Sequence, residues 1–411
     1  MARILGKEIA VTIFEPKDFM KEGPGGCNRC GGIISELLVQ MLAVEGINLP
    51  DTVVQKGINT YRLHTMHGSV TIETPNHEKS IATVYRGGGP KGLIGGHKQS
   101  FDHYLLQRAV QEGAVHETVR VEKVEWRGGR PVLYAQKSAI ADADLVVGAC
   151  GVNSSGPKIF EDLGFGYRQP RVITAAIAEL GFDKETVAEH FCNAIHLFLL
   201  PEKNIKFAAM IPKGSYVTVC LLGSHIDAHT IDAFLSSPGV RRVLPEAASS
   251  EKHCQCLPKM NIGAPKKAFT DRVVVCGDAG STRLFKDGIG AAYFMGKAAA
   301  KTAVFEGVGA QHFAEGYLPV YNGITRDNFY GKFLYAVTDI FRKVPLFTKG
   351  MLKVVHKEQS DPAKRKILSS VLWDMFTGNE RYKEIFPRAV NPRMNIDLLS
   401  ECAAAIVRRD V

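Results

Sequence analysis

The segment RVVVCGDAGSTRLFKDGIGAAYFMGKAAA, residues 272–300, constrains the fold more than any other stretch of the chain. Its apolar run, Val273 to Val275, has the form of a strand buried on both faces of a parallel sheet. Such a strand delivers Gly277, Asp278 and Ala279 to its carboxyl end, where ligands bind in open α/β sheets. Gly288, Ile289 and Gly290 then open a helix whose free N–H groups and dipole suit an anion such as a pyrophosphate. Asp278 is placed to accept hydrogen bonds from the polyol hydroxyls of a bound cofactor. A structural Asp closing a turn is the plainer alternative, but strand, Asp, GxG and helix in that order favour the cofactor.

The chain has 411 residues, enough for two or three domains. Its apolar fraction of 45% and charged fraction of 23% are ordinary for a soluble protein. It has neither an apolar run of the roughly 18 residues that span a bilayer nor a signal-peptide pattern at its start, so the expected location is cytoplasmic. The net charge of +9 suits nucleic acid, an anionic membrane surface or an anionic cofactor. Nucleic acid is the weakest of these, because no basic stripe is interleaved with aromatics. Nine irregularly placed cysteines point to free thiols rather than a disulfide framework.

Along the chain, IAVTIF (9–14) resembles a buried parallel strand, and a helix is expected from about Ser35 to Glu45. YRLHTMHGSVTIET (61–74) alternates like antiparallel strands, FDHYLLQRAVQEGA (101–114) has helical spacing, and VRVEKVEW (119–126) alternates again. ADLVVGACG (143–151) is a further buried strand ending in a turn, residues 172–225 hold several strand candidates, and everything after about 325 is helical in pattern. The order is α/β, then mostly β, then α/β, then α, which implies a discontinuous first domain interrupted by an inserted sheet domain.

Residues 272–290 resemble the second FAD-binding motif of the flavoproteins related to para-hydroxybenzoate hydroxylase, and within them of the geranylgeranyl reductases. The family pattern is an apolar strand, GDAAG, a loop usually containing proline, then GxG at a helix start. Gly277, Asp278, Ala279, Gly288 and Gly290 match it, and Phe285 stands where the proline is usual. ADLVVGACGVNSS is similar to the family's internal GADGxxS turn, with Gly148, Ala149, Gly151 and Ser154 matching and Cys150 in place of the Asp. GHKQSFDHYLLQRAVQEGA is similar to an Arg, Phe-Asp and helix segment, with Lys98 at the Arg position. That cation could meet flavin phosphate or ribityl groups, although a solvated lysine at a helix start explains it equally well.

The resemblance implies an α/β (α+β) fold with a Rossmann-like FAD-binding domain (1–57, 86–155 and 262–325), an inserted, mostly antiparallel sheet domain that binds substrate (58–85 and 156–261), and a helical C-terminal region (326–411). In a nucleotide-binding βαβ unit the second strand ends in an acid that binds the adenosine ribose. IAVTIFE fits that strand, Glu15 fits the acid, and residues 2–6 fit the last turn of the crossover helix. The first strand, phosphate turn and most of that helix, on the order of 20 residues, are expected upstream of an internal Met start.

Cys27 and Cys30 form a CxxC. A zinc site would need a second pair, and CQC (254–256) has the wrong spacing. A redox pair and a packing cysteine remain open. The resemblance adds a third reading, since geranylgeranyl reductases often carry Cys-Gly-Gly here, with the cysteine near the flavin; Cys30, Gly31 and Gly32 match. VYRGGGPKGLIGG (84–96) lacks the phosphate-loop context and fits a hinge or crossover better than a ligand contact.

KFAAMIPKG (206–214) is similar to the reductase segment YxWxFPKG, with Phe207, Ala209, Ile211, Pro212 and Lys213 occupying it. An apolar wall with two aromatics reduced to Ala and Ile suits an isoprenoid or other lipid substrate; an ordinary core strand is the alternative. What the resemblance implies is an FAD-dependent oxidoreductase in which flavin, reduced by NAD(P)H or another donor, passes hydride to a carbon–carbon double bond. The alternatives are a monooxygenase on an apolar substrate and a degenerate flavin-binding protein.

In the tail, Phe329, Phe333, Leu334, Val337, Ile340, Phe341 and Val344 share one helical face ringed by Lys and Arg. Such a segment can lie on an anionic membrane, giving a peripheral contact through 329–357, though packing against the flavin domain is the commoner use. His64, His67, His97, His103 and His196 are proton-donor candidates by residue type alone.

Overall fold

Val273, Val274 and Val275 are each 0% exposed, as their unbroken β-branched run requires, and the first part of the molecule is built around them. The structure is a computed structural model that describes residues 8–75, 80–92, 98–245 and 252–407. The chain divides into two units, one of residues 1–19, 102–173 and 259–328, the other of 20–101, 174–258 and 329–411.

In the first unit, Val273–Val275 lies between Val146–Gly148, which runs parallel to it, and Phe269–Thr270, which runs antiparallel. A second parallel pair joins Thr12–Phe14 to Val115–Glu117. Helix Gly288–Phe305 returns from the carboxyl end of the central strand and buries Ala291, Met295 and Ala299 against Val274, Phe313 and Tyr317. On the opposite side Val273 and Val275 pack with Phe160, Tyr167 and Leu133. Two strands differ from expectation. Thr12–Phe14 covers only the end of 9–14 and is half-buried, and Val147 is 41% exposed, so Val146–Gly148 is covered on one face only. The proposed helix turn at residues 2–6 lies outside the described residues.

The second unit is built on a seven-stranded sheet in the order Lys252–Cys256, Ala176–Gly181, Tyr216–Gly223, Ile205–Pro212, Ala194–Leu199, Thr60–Thr65, Gly68–Glu73. All its neighbours are antiparallel except Ala194–Leu199 and Thr60–Thr65. Because strand side chains alternate, the register gives the sheet two faces. One carries Ala178, Val219, Met210 and Phe198 under Phe191, Ile231 and Phe234. The other carries Glu179, Thr218, Cys220, Phe207, Ala209 and Ile211.

Five helices follow, Leu318–Lys343, Pro345–Ser360, Ile367–Phe376, Tyr382–Ala389 and Pro392–Val407, the first of them belonging to the first unit up to Asn328. Pro345 divides the first two, since its ring cannot continue the preceding helix but suits a first helical position. Among the described residues no helix is long and apolar enough to cross a membrane.

The unit boundaries correct the expected domains. Residues 20–57 belong with the sheet, because Ile33–Ser35 and Val54–Ile58 both pair with Ile81–Val84 in a small antiparallel sheet. The helical tail is part of the same unit rather than a third region, and 156–173 falls in the first unit.

Candidate functional site

In the first unit the central strand leads through Cys276 into a single 3-10 turn, Gly277–Ala279, with Gly277 at φ 65°. The turn is fixed by its carbonyls: Ala279 O accepts from Tyr167 Oη at 2.7 Å and Asp278 O from Asn261 Nδ2 at 2.6 Å. A Cβ added to Gly288 would lie 3.4 Å from Asp278 Oδ1. The Asp278 carboxylate therefore faces the start of helix Gly288–Phe305, and the strand tip, acid and glycine of the sequence pattern do meet in space.

The loop between them departs from the family pattern. Phe285 sits at φ 63° and Asp287 at φ 52°. Proline, held near φ −65°, could not occupy the first of these positions. Asn328 clamps the loop, its Oδ1 accepting from Leu284 N and its Nδ2 donating to Thr282 O, each at 2.8 Å. Arg283 pairs with Asp287 at 2.7 Å, and both side chains are 6% exposed or less.

Asp287 also alters the expected anion cradle. A Cβ on Gly290 would come 2.1 Å from Asp287 Oδ1, so the helix start already holds the chain's own carboxylate. Burial pushes that carboxyl up to about 6, against the pull of Arg283 and Lys286. With Asp278 beside Gly288 and Asp287 beside Gly290, this end of the helix suits hydroxyl and N–H groups of a ligand, not a pyrophosphate. Ile289 lies between the two glycines, half-buried.

Glu15 is half-buried just beyond Thr12–Phe14, at the carboxyl end of its parallel pair. Its Oε1 accepts from Lys17 N at 2.9 Å, and its own N–H donates to Glu117 O at 3.1 Å. Gly151 turns at φ 62° with open space where a side chain would be. Cys150, in the place of the family Asp, packs against Gly156, and burial pushes its thiol up to about 11.

In the second unit the Cys30-Gly31-Gly32 turn lies on the sheet face that carries Ile211. A Cβ on Gly31 would meet Cys220 Sγ at 3.0 Å and Ile211 Cδ1 at 3.1 Å; one on Gly32, at φ 65°, would meet Val84 O at 2.1 Å. These glycines are required by the protein's own close packing. Beneath them Lys213, 3% exposed, donates from Nζ to Val84 O at 2.6 Å, Gly31 O at 2.9 Å and Gly32 O at 3.4 Å. Burial lowers the Lys213 pKa, and Glu179 opposes that shift. Burial raises Glu179 to about 7, against Lys213, and its Oε2 accepts from Thr218 Oγ1 at 2.7 Å.

The sequence reading missed Glu179. The signal was the alternation in RVITAAIAEL, which places it on the same face as Ile177. Cys254 and Cys256 lie on that face too, in register with Glu179 and Ile177. Burial is the main cause that raises their thiols to about 12 and about 11, with Cys27 close enough to add to both. Cys27 and Cys30 are of intermediate exposure and are not joined in a disulfide.

Phe207, Ala209 and Ile211 do share one face, each 6% exposed or less, but the chain's own groups cover it. Phe207 stacks on Tyr335 at 5.8 Å and meets Phe376 edge-on at 5.3 Å. Pro212 O accepts from Thr83 Oγ1 at 3.2 Å. Lys98 differs from expectation: its Nζ donates to Asp51 O at 2.8 Å and Val54 O at 2.9 Å, closing a turn. Of the histidines, His64 and His196 pair on the opposite sheet face, His67 tops a hairpin and His103 lies on helix Phe101–Gln111; His97 lies outside the described residues.

Neither the protein-family models nor the curated proteins match this sequence. Solved structures do. A geranylgeranyl bacteriochlorophyll reductase-like protein from Thermoplasma acidophilum superposes with a TM-score of 0.61 at 13% identity, covering 95% of this chain and 92% of its own. A flavoprotein/dehydrogenase from Cytophaga hutchinsonii gives 0.63 at 13% identity, with 97% and 96% covered. The halogenase PltM, solved in complex with phloroglucinol and FAD, gives 0.60 at 11% identity, with 100% and 89% covered. The chain has the fold of these flavoproteins along nearly its whole length.

Proposed function

We propose that this chain is an FAD-dependent oxidoreductase that reduces a carbon–carbon double bond of an isoprenoid or other lipid, with NAD(P)H or another reductant as electron donor. The observation that carries the reading is the meeting of Asp278, at the tip of the buried central strand, with Gly288 at the start of the helix that follows it. The first-unit residues fit FAD as a molecule with hydroxyl-rich parts. On this reading Glu15 would hold ribose hydroxyls and Asp278 the ribityl chain, while Gly277, Ala279, Gly288, Ile289 and Gly151 would supply backbone and room. When bound, reduced FAD would supply the hydride.

The chain's part is orientation and proton supply. Phe207, Ala209 and Ile211 would form an apolar wall for a lipid chain only where Tyr335 and Phe376, which cover Phe207, move aside. Glu179, raised to about 7, can hold a proton on its carboxyl at neutral pH, which makes it the proposed proton source on that face. Cys30, of intermediate exposure at the start of its turn, is the thiol that the resemblance would bring near the flavin. Anaerobic bleaching of FAD-loaded protein by the donor, followed by reoxidation on adding a prenyl lipid, is the expected behaviour. Failure of every lipid tried to reoxidise the reduced protein would remove the reductase reading. A p-nitrophenol 4-monooxygenase from Pseudomonas putida shares the fold at a TM-score of 0.56 and 12% identity, which keeps a monooxygenase as second reading; oxygen-dependent product would single it out.

The proposal extends to a peripheral membrane contact. Phe329, Phe333 and Ile340 are 74%, 47% and 50% exposed, at helical spacing, with Lys332 and Lys343 exposed beside them. Leu334 and Arg342 turn inward instead, the latter donating from Nη1 to Leu200 O, Glu202 O and Ile205 O. The membrane-facing set is thus narrower than residues 329–357 as a whole.

A further inference from the structure

On the sheet face away from Phe207, a cavity of ≈ 420 Å³ opens beside Thr60–Thr65 and Gly68–Glu73, and none of its described lining residues carries a carboxylate. Its lining brings together Arg62, Arg242, His190, His64, His196 and Ser69. Inside it runs a hydrogen-bonded chain: Ser69 Oγ to His64 Nδ1 at 2.7 Å, then His64 Nε2 to His196 Nδ1 at 3.1 Å. The chain stops at His196 Nε2, which is buried and has no partner, on a residue 2% exposed.

A buried ring nitrogen without a partner calls for one, and His196 lines this cavity together with two guanidinium groups. Burial, reinforced by the Arg62 charge, lowers His64 to about 4 and His196 to about 3. Both rings are therefore neutral at pH 7, each with one donor and one acceptor nitrogen. Only two tautomer arrangements keep the chain intact. In one, Ser69 donates inward, each ring passes a donor along, and His196 Nε2 ends the chain as an N–H. In the other, every bond is reversed and Nε2 is an acceptor. A bound anion selects the first.

We infer that this cavity is a binding site for a phosphate group, with Arg62 and Arg242 pairing to its oxygens and His196 Nε2–H donating to it. Guanidinium forks match phosphate oxygens, and the space exceeds a bare phosphate, which points to a phosphomonoester with an organic portion. The inference does not rest on the flavin reading and stands or falls without it.

The test is calorimetric titration of the full-length chain at fixed ionic strength with inorganic phosphate, glycerol 3-phosphate and vesicles carrying phosphatidic acid. Saturable binding of phosphate and tighter binding of glycerol 3-phosphate are expected; preference for the vesicles over the soluble ester would identify a lipid source for the same chemistry. Arg242→Gln, an exposed position that leaves the core intact, should weaken phosphate binding at least about tenfold, as should His196→Phe. The proposal is overturned if no saturable binding occurs up to about 20 mM. It is also overturned if His196→Phe, folded by circular dichroism, binds phosphate as the wild type does, since that would leave only a diffuse cationic surface.

Discussion

Lys213 and Glu179 show how little of a buried charge can be inferred from its own neighbourhood in sequence. The ammonium is held by three carbonyls from two other segments, and Gly32 is the residue that lets them come so close. Gly32→Ala combines a left-handed backbone with a Cβ 2.1 Å from Val84 O, so it should destabilise the protein by at least about 2 kcal/mol. Urea unfolding measures this; an unchanged midpoint would contradict the described turn.

The histidine pair gives a signed pH effect. Burial holds His64 down to about 4 and His196 down to about 3, below the ordinary 6.5, so the unfolded chain binds protons that the folded chain refuses. Their contribution is fully present above 6.5 and is lost as pH falls towards those values. Glu179, raised to about 7 from 4.5, and Asp287, raised to about 6 from 3.8, act oppositely: the folded state keeps their protons, and stability falls as pH rises through that range. The wild-type profile is therefore shallow. In a His64→Gln/His196→Gln variant the opposing acids are left alone, and the stability difference between wild type and variant should grow between pH 4.5 and 6.5 by up to about 1.4 kcal/mol per proton per pH unit. A constant difference across that range would mean that the rings titrate normally.

At the scale of elements, the last helices are joined by a buried acid. Glu358, 7% exposed, accepts from Leu368 N at 2.9 Å, Ser369 N at 2.7 Å and Ser369 Oγ at 2.6 Å. It thus satisfies the free N–H groups of helix Ile367–Phe376, where a negative charge also complements the dipole. Glu358→Ala should lower stability by about 2 kcal/mol, with Glu358→Gln recovering part of it; equal stability of all three proteins would rule the cap out.

Elements were also where the sequence was most readable. The hairpin within 61–74, the helix from Ser35 and the strand, Gly-Asp turn and helix of 273–305 all follow from local periodicity and turn residues, which the chain carries within a few positions. Register between strands is not local. That is why Glu179 on the face beneath the glycine turn, and Cys254 and Cys256 in line with it, were not legible, and why neither the flavin contact nor the solvated lysine weighed for Lys98 anticipates its bonds to Asp51 O and Val54 O. The left-handed Phe285 and Asp287 were hidden for a similar reason, since Asn328, 41 positions beyond Asp287 in sequence, holds their loop.

For the whole molecule, the exposed stripe of Phe329, Phe333 and Ile340 makes a prediction of its own. The protein should float with vesicles containing anionic lipid and less with neutral ones, and Phe329→Ser/Phe333→Ser should release it. Equal flotation of variant and wild type would place any membrane contact elsewhere. The central claim is that Asp278, facing Gly288 at the tip of the buried strand, holds FAD, and the most direct measurement is equilibrium binding of FAD to the full-length chain and to its Asp278→Ala variant, followed by flavin fluorescence. Saturable binding that weakens at least about tenfold in the variant is the predicted result; identical binding by the two proteins, or none by the wild type, would contradict it.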